Sequence, residues 1–595
     1  MSRISRRDIS RRNIARGGGS RRGGPAGLAA SGLSAALTFA VAVLGPSLME
    51  PPLPGRPGQP PWSAVAHPSP YLVVALTVAA IVSGTAGLWL TIRAMRRGWR
   101  IPPGVLLAAG VLAAVALALV PPFGSSDHLS YAAYGRMAVT GHNPYATTPA
   151  ALARLGDPVG RAVEDWRNSP SVYGALATGG QALASLIGGS SVRLTVFVLS
   201  LLNAVSFAIT GLILHGLGRG DQRRQLRSAV LWTANPLLLQ VLVAGAHVDS
   251  QAVMFGVAAL AVFGRAVRQA SPARRALLAA AAGALTGLGF AVKATMVLVG
   301  AGLAIGCLLG SWRGAAAPGP AAPGLVVPGD RGERPGTGWR DQVIALAGLA
   351  AGFAVLAGAS LAVWGVSSLR PALSAGSYVS IGSPWRAVRS ALHLGAGLGD
   401  AGAEDVVKAG AVVLAAALLA LLLAAIARQA RRALGTSPDP AQSPDPAQSA
   451  GLAQSAGLAP SRGEVAGWLA ASAVAAVALA WLFAWPYVLP WYDAFGWAML
   501  AVLPWSRLDW LLLARTAALA IGYLPARGTV TLPSGLGWLE TVVRTGVTPA
   551  VLLVCLAVLI VTLWPGRGFD WPGPWRRPAG TTGQELARSA PPGAH

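Results

Sequence analysis

Cysteine, lysine and charged residues in general are scarce in this sequence. Its 595 residues include two cysteines, Cys307 and Cys555, and two lysines, Lys293 and Lys408, and only 12% are charged. Both cysteines lie within apolar runs, so the sequence predicts neither a disulfide framework nor a cysteine-based metal site. A soluble protein of this length needs far more charge to cover its surface, which excludes that class.

The sequence contains long apolar runs instead: 53% of its residues are hydrophobic, and its mean hydropathy is +0.54. A helix needs about 20 apolar residues to cross about 30 Å of hydrocarbon. The run 276–310 would be roughly 52 Å long as one helix, so we expect it to reverse direction near residues 290–293. Fourteen spans are predicted, at residues 28–48, 71–92, 104–122, 194–214, 228–244, 250–264, 276–292, 294–311, 342–365, 406–427, 465–485, 488–504, 509–525 and 547–564.

The formal net charge of +25 comes from short basic clusters between the apolar runs. No nucleic-acid-binding motif surrounds these clusters, so nucleic acid is not expected as a partner. If the Arg-rich N-terminus lies in the cytoplasm, alternation of the spans places most Lys and Arg residues on the cytoplasmic side, as the positive-inside rule requires. We therefore expect a multi-pass plasma-membrane protein, in contact with membrane lipids, with both termini in the cytoplasm.

Composition divides the chain into membrane regions and cytoplasmic linkers. The linkers are rich in Gly, Pro and Ala or in short repeats, so they cannot bury a core. The predicted organisation is an Arg-rich tail at 1–27, a membrane region at 28–313 with an outer loop at 123–192, a disordered linker at 314–340, two spans at 341–434 with an outer loop at 366–405, a low-complexity linker at 435–462, a membrane region at 463–564 and a disordered tail at 565–595.

The outer loop 123–192 contains the first candidate for chemistry, Asp127. Tyr131, Tyr134 and Ala138 follow at helical spacing, which predicts an interfacial helix with one aromatic face. Asp127 opens this helix, and Asp is a common N-cap because it accepts free backbone amide protons. The alternative is a carboxylate near the lipid headgroups that takes a proton from a sugar hydroxyl.

Other polar groups are expected at the same membrane surface, and most of them have a structural alternative. His247-Val248-Asp249 could be a polar hairpin turn, and Lys293 could extend its side chain to the surface. Arg386 lies in the outer loop 366–405. The Trp491-Tyr492-Asp493 string could belong to an aromatic belt. A topology assigned from the arginines alone places all of these residues on the outer side.

Together these residues resemble a known family. The strings are Asp127, Tyr131, Tyr134-Gly135, Gly141-His142-Asn143-Pro144-Tyr145, Ser169-Pro170, Tyr173-Gly174, His247, Asp249, Lys293 and Pro490-Trp491-Tyr492. They resemble the actinobacterial polyprenyl-phosphomannose-dependent α-1,6-mannosyltransferases that build the lipomannan core, which are membrane-embedded GT-C glycosyltransferases. The resemblance implies an all-α polytopic membrane protein, GT-C-like, with about 14 transmembrane helices and a long first catalytic outer loop containing short interfacial helices.

The resemblance also implies a catalytic carboxylate in that loop, carried here by Asp127. Two departures from the family pattern affect this assignment. Many GT-C enzymes have a second acid one or two residues away, whereas Ser126 and His128 flank Asp127. Val248 stands in the middle of a turn expected to read His-Asn-Asp, so acceptor recognition could differ.

The implied mechanism is an inverting transfer in one step. Asp127 would deprotonate an acceptor hydroxyl, which attacks the mannose of polyprenyl-phosphate-mannose and expels polyprenyl phosphate. Preorganised cations would stabilise this phosphate. The predicted phosphate-binding residues are Lys293, Arg386, His247 and Arg136, and the predicted sugar-binding residues are Asp249, Tyr492, Asp493, Trp491 and Tyr145. A mannan or lipoglycan is the expected acceptor, and no metal or other cofactor is expected.

Two other functional classes remain open from the sequence. A transporter or flippase of a lipid-linked sugar would need polar sites near the bilayer midplane, often in two related halves. The sequence has no convincing internal repeat, which favours the enzyme. A structural partner in a cell-envelope complex would not require Asp127.

Overall fold

Regular structure in the computed structural model is entirely helical over the described residues, which are 6–311, 339–435, 462–528, 530–564 and 571–573. The predicted linkers 314–340 and 435–462 and the tail 565–595 lie largely outside these residues. The α-helices are α1 (Arg6–Leu44), α2 (Pro70–Arg96), α3 (Pro103–Ala118), α4 (Asp127–Val139), α5 (Pro149–Arg154), α6 (Pro158–Ala162), α7 (Ala175–Gly188), α8 (Val192–Leu217), α9 (Gln222–Ser228), α10 (Pro236–Leu238), α11 (Asp249–Ala266), α12 (Pro272–Val292), α13 (Val297–Ser311), α14 (Trp339–Trp364), α15 (Arg370–Ala375), α16 (Trp385–Ala396), α17 (Asp400–Gly435), α18 (Arg462–Ala484), α19 (Asp493–Val502), α20 (Leu508–Gly522) and α21 (Thr548–Leu563). π-Helical turns occupy Ala229–Thr233, Leu239–Ala244 and Leu539–Val547, and 3-10 turns occupy Ala294–Met296, Val366–Leu369, Pro490–Tyr492 and Ser534–Leu536.

Nine helices within the described residues are long and apolar enough to cross a membrane, which is consistent with a polytopic membrane protein. They are Gly23–Leu44, Pro70–Arg96, Val192–Leu217, Gln222–Ala244, Pro272–Val292, Trp339–Trp364, Asp400–Arg432, Gly463–Ala484 and Ser534–Leu563. The other five predicted spans coincide with α3, α11, α13, α19 and α20. These helices have 10 to 18 residues, and ten helical residues cover only about 15 Å. The count of fourteen spans therefore stays a prediction.

The predicted reversal in the run 276–310 is confirmed. The helix α12 ends at Val292, a 3-10 turn spans Ala294–Met296, and α13 begins at Val297. Lys293 lies between the two helices in extended backbone conformation. This break places its side chain at the end of a hairpin of two apolar helices.

The helix α4 is more buried than the predicted interfacial helix. Nine of its residues are buried, including both tyrosines of the predicted aromatic face, and it packs on α7 and α8. Gly135 allows the close approach of α7, because a Cβ atom there would stand 2.1 Å from the carbonyl oxygen of Gln181. The helix therefore lies within the protein rather than on its surface.

A buried ion pair joins the N-terminal and C-terminal halves of the chain. Arg227, in α9, donates to both carboxylate oxygens of Asp509, in α20, at 2.7 and 3.1 Å. Both side chains are completely buried. The guanidinium also donates to the carbonyl oxygen of Leu500 and lies 4.3 Å from the ring centroid of Trp505. The pair connects two segments that the arginine pattern places on the cytoplasmic side.

Replacement of Arg227 by Met should strongly destabilise the fold. The substitution leaves the Asp509 carboxylate buried without a countercharge, which costs about 3–5 kcal/mol in comparable pairs. The free energy of unfolding in mixed micelles measures the effect. The double variant with Asp509→Leu removes both charges and should recover most of the loss. Equal stability of Arg227→Met and the wild type would contradict this role of the pair.

Candidate active site

Several helix ends meet at one end of the bundle and enclose an open cleft. The helices α4 and α11 begin there, at Asp127 and Asp249, and α12 ends there immediately before Lys293. The 3-10 turn Pro490–Tyr492, which precedes α19, forms another wall. The space between these elements is about 960 Å³, including its open mouth. Most of the polar residues predicted for the outer face are therefore neighbours.

Aromatic side chains form a large part of the wall of this cleft. Trp491 is only 3% exposed and contacts Tyr492 with the ring planes nearly perpendicular, so it lies inside the protein and not in a lipid-facing belt. At the mouth, Trp166 stacks on Tyr378 at 5.8 Å. The aromatic lining consists of Tyr131, Tyr134, Trp166, Tyr173, Tyr378, Trp481, Trp485, Tyr487, Trp491 and Tyr492. Flat apolar walls with polar edges suit a ligand that has C–H faces and hydroxyl groups.

The Asp127 side chain lines the cleft and is 13% exposed. No side chain caps α4, and the backbone amide of Asp127 itself donates to Ser125 Oγ, so the capping alternative is not observed. Burial raises the pKa of Asp127 to about 7, with Lys293 opposing the rise and Asp165 and Asp249 adding to it. A carboxyl group with this pKa can both accept and release a proton near neutral pH.

A second carboxylate, which the sequence reasoning missed, lies beside Asp127. Asp165 Oδ2 accepts a hydrogen bond from Ser126 Oγ at 2.5 Å, although the two residues are 39 positions apart. The backbone carbonyl of Asp165 also accepts a bond from Ser130. The loop 123–192 therefore folds back and supplies the acid that is missing beside Asp127 in the sequence. No local pattern signals this contact.

The residue after Asp165 is in a strained backbone conformation. Trp166 has φ of +60°, a region that costs non-glycine residues about 1–3 kcal/mol. Its side chain lines the cleft together with Asp127 and stacks on Tyr378 from the outer loop 366–405. Strain of this kind persists where surrounding contacts fix the position of a functional group.

His247 lies against Asp127 and stacks on Trp491. Its Nδ1 atom is 3.6 Å from Asp127 Oδ2, and its ring lies 3.6 Å from the Trp491 ring at an angle of 15°. Burial and the nearby Lys293 charge lower the pKa of His247 well below its ordinary value, so the ring is neutral. The preceding Ala246 has φ of +52°, and its carbonyl accepts a hydrogen bond from Asn203 Nδ2 at 2.6 Å.

Lys293 provides the positive charge of the cleft. Its Nζ atom donates to Asp249 Oδ1 at 2.7 Å and lies 4.1 Å from the ring centroid of Tyr492. It is the single Lys or Arg among the described residues that line the cleft. The side chain is thus paired within the protein rather than extended to a lipid surface, and the second carboxylate oxygen of Asp249 is buried without a hydrogen-bond partner.

The two arginines predicted to bind phosphate lie elsewhere. Arg136 donates to Asp157 Oδ2 at 2.8 Å, and the other oxygen of Asp157 caps α6, so this pair holds the loop together. Arg386 is exposed in the first turn of α16. Neither residue lines the cleft.

Three residues predicted to bind sugar, Asp249, Asp493 and Tyr145, do not line the cleft. Asp493 is completely buried, pairs with Arg515 and accepts a hydrogen bond from Thr516. Its carboxylate therefore neutralises a buried arginine. Tyr145 shares a hydrogen bond of 2.9 Å with Thr178 on α7. The side chains of Asp249, Trp491 and Tyr492 do meet around Lys293 and His247.

No group of three or more His, Cys, Asp or Glu side chains is placed to hold a metal ion in the part of the chain that the structure describes. The acidic groups beside Asp127 contact Ser126 and Lys293 instead. The described site is built from two carboxylates, one ammonium–carboxylate pair and a neutral imidazole.

Residues 27–308 match the model of a protein family described as the N-terminal domain of alpha-(1->6)-mannopyranosyltransferase. This match confirms the predicted family resemblance. The matched region includes Asp127, His247 and Lys293, whereas Trp491, which forms part of the wall of the cleft, lies outside it.

Curated proteins give the same result over shorter stretches. The chain is 35% identical over 145 residues to an alpha-(1->6)-mannopyranosyltransferase of Mycobacterium tuberculosis, covering 24% of each chain. It is 26% identical over 136 residues to alpha-(1->6)-mannopyranosyltransferase A of Corynebacterium glutamicum, covering 23% of this chain and 27% of the relative. A probable alpha-(1->6)-mannopyranosyltransferase of Mycolicibacterium smegmatis is 33% identical over 147 residues, covering 24% of this chain and 25% of the relative. The chain thus spans about a quarter of the length of these relatives. No solved structure matches the chain.

Proposed function

We propose that this protein is an inverting mannosyltransferase of the plasma membrane. It moves mannose from polyprenyl-phosphate-mannose to a mannan or lipomannan acceptor, through an α-1,6 linkage, on the outer face. The observation that carries this proposal is that Asp127 and Lys293 line one aromatic cleft. The names of the relatives support α-(1→6)-mannosyl transfer, and none of them supports transport of a lipid-linked sugar.

In the proposed reaction, the acceptor hydroxyl gives its proton to the Asp127 carboxylate. The hydroxyl oxygen then forms a bond to the anomeric carbon of mannose while the bond from that carbon to the phosphate oxygen breaks. The electron pair of the broken bond leaves with polyprenyl phosphate. Attack in line with the departing group inverts the anomeric centre, so a β-linked donor gives an α-linked product.

The surrounding residues have distinct roles in this reaction. Lys293 stabilises the charge that grows on the phosphate, and Asp249 holds the ammonium group in place through its 2.7 Å bond. His247 is neutral and can donate a hydrogen bond to a phosphate or sugar oxygen. Trp491 and Tyr492 pack on the faces of the sugar rings. Trp166 lines the cleft beside Asp127 and restricts the space in which the carboxylate can move.

The sidedness is supported by the arginine pattern. Nucleotide-sugars are confined to the cytoplasm, so an enzyme on the outer face needs a donor carried across on a lipid. The cleft lies at the helix ends assigned to the outer side, and the buried Arg227–Asp509 pair lies among segments assigned to the inner side.

The test is transfer by purified protein in vesicles. Radiolabelled polyprenyl-phosphate-mannose is placed in the bilayer, and a membrane-impermeant α-mannoside acceptor is added to vesicles of known protein orientation. The expected product is a labelled acceptor that a linkage-specific α-1,6-mannosidase digests. It should form only in vesicles whose protein orientation exposes the predicted outer face to the acceptor. If no sugar is transferred, the proposed mannosyltransferase activity is wrong. A product of another linkage would contradict the proposed α-1,6 linkage.

The pH dependence of transfer should reflect the unusual pKa of Asp127. The base must be ionised, so the rate should rise from pH 5 to pH 8 with a midpoint near 7. An ordinary aspartate, with a pKa of about 3.9, would give a flat profile over this range. Asp165→Asn removes one negative neighbour and should shift the midpoint to lower pH. A profile that is flat, or unmoved in this variant, would contradict Asp127 as the titrating base.

A further inference from the structure

Arg527, in the segment between α20 and α21, forms a buried ion pair with the loop that carries Asp127. Its Nε and Nη2 atoms donate to the two carboxylate oxygens of Glu164 at 2.7 and 2.5 Å. The two side chains are only 10% and 17% exposed. Two parallel hydrogen bonds of this kind fix the orientation of the guanidinium relative to the carboxylate as well as their distance.

The third guanidinium nitrogen of Arg527 binds another segment. Its Nη1 atom donates to the backbone carbonyl oxygens of Ser47, at 2.5 Å, and of Glu50, at 3.3 Å. These carbonyl groups belong to the segment that joins α1 to α2. Arg527 therefore ties together three segments from distant parts of the chain.

Glu164 directly precedes the two loop residues that stand beside Asp127. Asp165 accepts the hydrogen bond from Ser126, and Trp166 lines the cleft. The backbone of Trp166 is strained, and surrounding contacts must hold a residue in such a conformation. The ion pair at Glu164 holds the chain on the N-terminal side of this strained residue.

The segment that carries Arg527 also packs on Asp165 directly. A Cβ atom at Gly528 would stand 3.1 Å from Asp165 Oδ1, so the backbone approaches this carboxylate closely. On the other side of Arg527, Ala526 has φ of +70°, a conformation that residues with a Cβ atom seldom adopt. The segment between α20 and α21 thus contacts two successive acidic residues of the outer loop 123–192.

We propose that Arg527 is a positioning residue for the transfer reaction, an inference that rests on the function proposed above. By holding Glu164, it keeps the next two residues of the loop beside Asp127. Arg527 does not line the cleft, so it acts through the loop and not on the substrate. A residue outside the family match at 27–308 thereby helps to shape the surroundings of the base.

Replacement of Arg527 by Met in the full-length protein tests this role. Methionine keeps the unbranched stem and removes the guanidinium, so the loop loses its bonds at Glu164. The turnover number should fall about ten- to 100-fold, because a misplacement of about 1 Å can cost about 100-fold. Arg389→Met is the matched control, since Arg389 pairs with Asp400 in the outer loop 366–405, away from the cleft. This control should have normal activity.

The pH profile of Arg527→Met distinguishes positioning from other roles. Burial and Asp165 both raise the pKa of Asp127, so release of the loop should move the midpoint of the profile to lower pH. Loss of the Arg527 charge alone acts in the opposite direction, because removal of a cation raises the pKa of a carboxyl group. The other titratable groups around Asp127 are Lys293, Asp249, His247 and the tyrosines of the cleft. A midpoint that stays in place, or that moves to higher pH, would overturn the positioning role.

Hydrogen–deuterium exchange of the purified protein tests the contact without an assay of transfer. Backbone amides at 163–169 should exchange faster in Arg527→Met than in the wild type, with no change in α18. Unchanged exchange at 163–169 would overturn the proposal. Absence of transfer by the wild type would overturn the proposed function and leave this measurement intact.

Arg527→Lys replaces the methionine variant if that variant fails to fold. Lysine keeps the positive charge and a hydrogen-bond donor, but it lacks the planar fork that binds both carboxylate oxygens. The same shift of the pH midpoint and the same faster exchange are expected, each smaller than in Arg527→Met. A wild-type midpoint together with wild-type exchange in Arg527→Lys would contradict the proposal.

Discussion

Asp127→Asn should reduce mannosyl transfer by about 10²- to 10⁴-fold, the range that a positioned general base contributes. Asparagine has the same shape as aspartate, but it cannot take a proton from the acceptor. The loss should appear in the turnover number, with little change in the apparent affinity for the donor. Initial rates with radiolabelled polyprenyl-phosphate-mannose measure both quantities.

The matched control for this variant is Asp157→Asn. Asp157 belongs to the same outer loop and is mostly buried, but it pairs with Arg136 outside the cleft. Asparagine retains an oxygen that can cap α6, so the loop should keep its structure. Transfer at near wild-type rate is expected from this control. If Asp127→Asn were equally active, with normal expression, Asp127 would have no role as the base.

Lys293→Met should lower transfer by about 10²- to 10³-fold, the usual effect of removing one preorganised group that stabilises developing negative charge. Methionine preserves the unbranched shape of the side chain and removes its charge. No other Lys or Arg among the described residues lines the cleft, so none can replace it there. The leaving phosphate would then depart without a direct countercharge.

Two control variants distinguish this effect on catalysis from a loss of protein stability. Lys293→Met also leaves Asp249 without its ion-pair partner, and the double variant with Asp249→Asn restores the charge balance and should regain stability. If Lys293 acts on the phosphate, the double variant stays inactive. Lys408→Met changes the only other lysine, which is exposed on α17, and should have normal activity. Recovery of transfer in the double variant would instead assign a purely structural role to Lys293.

The residues that could be placed in the site from sequence are those at breaks in apolar runs. Lys293 interrupts a run too long to cross the membrane once, and His247 and Asp249 interrupt another, so their positions at helix ends follow from run length alone. The arginine distribution then assigned these breaks to one face. The structure places Asp127, His247 and Lys293 together at such a set of helix ends.

The same reasoning could not distinguish these residues from Arg136, Arg386 and Asp493. All of them are expected at the same membrane surface, but Arg136 pairs with Asp157, Asp493 pairs with Arg515, and Arg386 is exposed. Each was predicted to bind substrate from its depth in the membrane and its charge. The structure places none of them in the cleft, because the partners of Arg136 and Asp493 lie 21 and 22 positions further along the chain and are brought to them by the tertiary fold.

By itself, the sequence determined a helical membrane protein, the reversal at Lys293 and the resemblance of residues 27–308 to a mannopyranosyltransferase family, because run length, charge and local motifs are properties of one segment at a time. Only the tertiary structure decided that Asp165 contacts Ser126 beside Asp127, that Trp166 lines one cleft with Asp127 and that Trp491 stacks on His247. A hydropathy pattern gives the position of a residue along the membrane normal. Its lateral neighbours depend on which helices pack together, as α4 and α7 do at Gly135, and that packing is encoded across the whole chain.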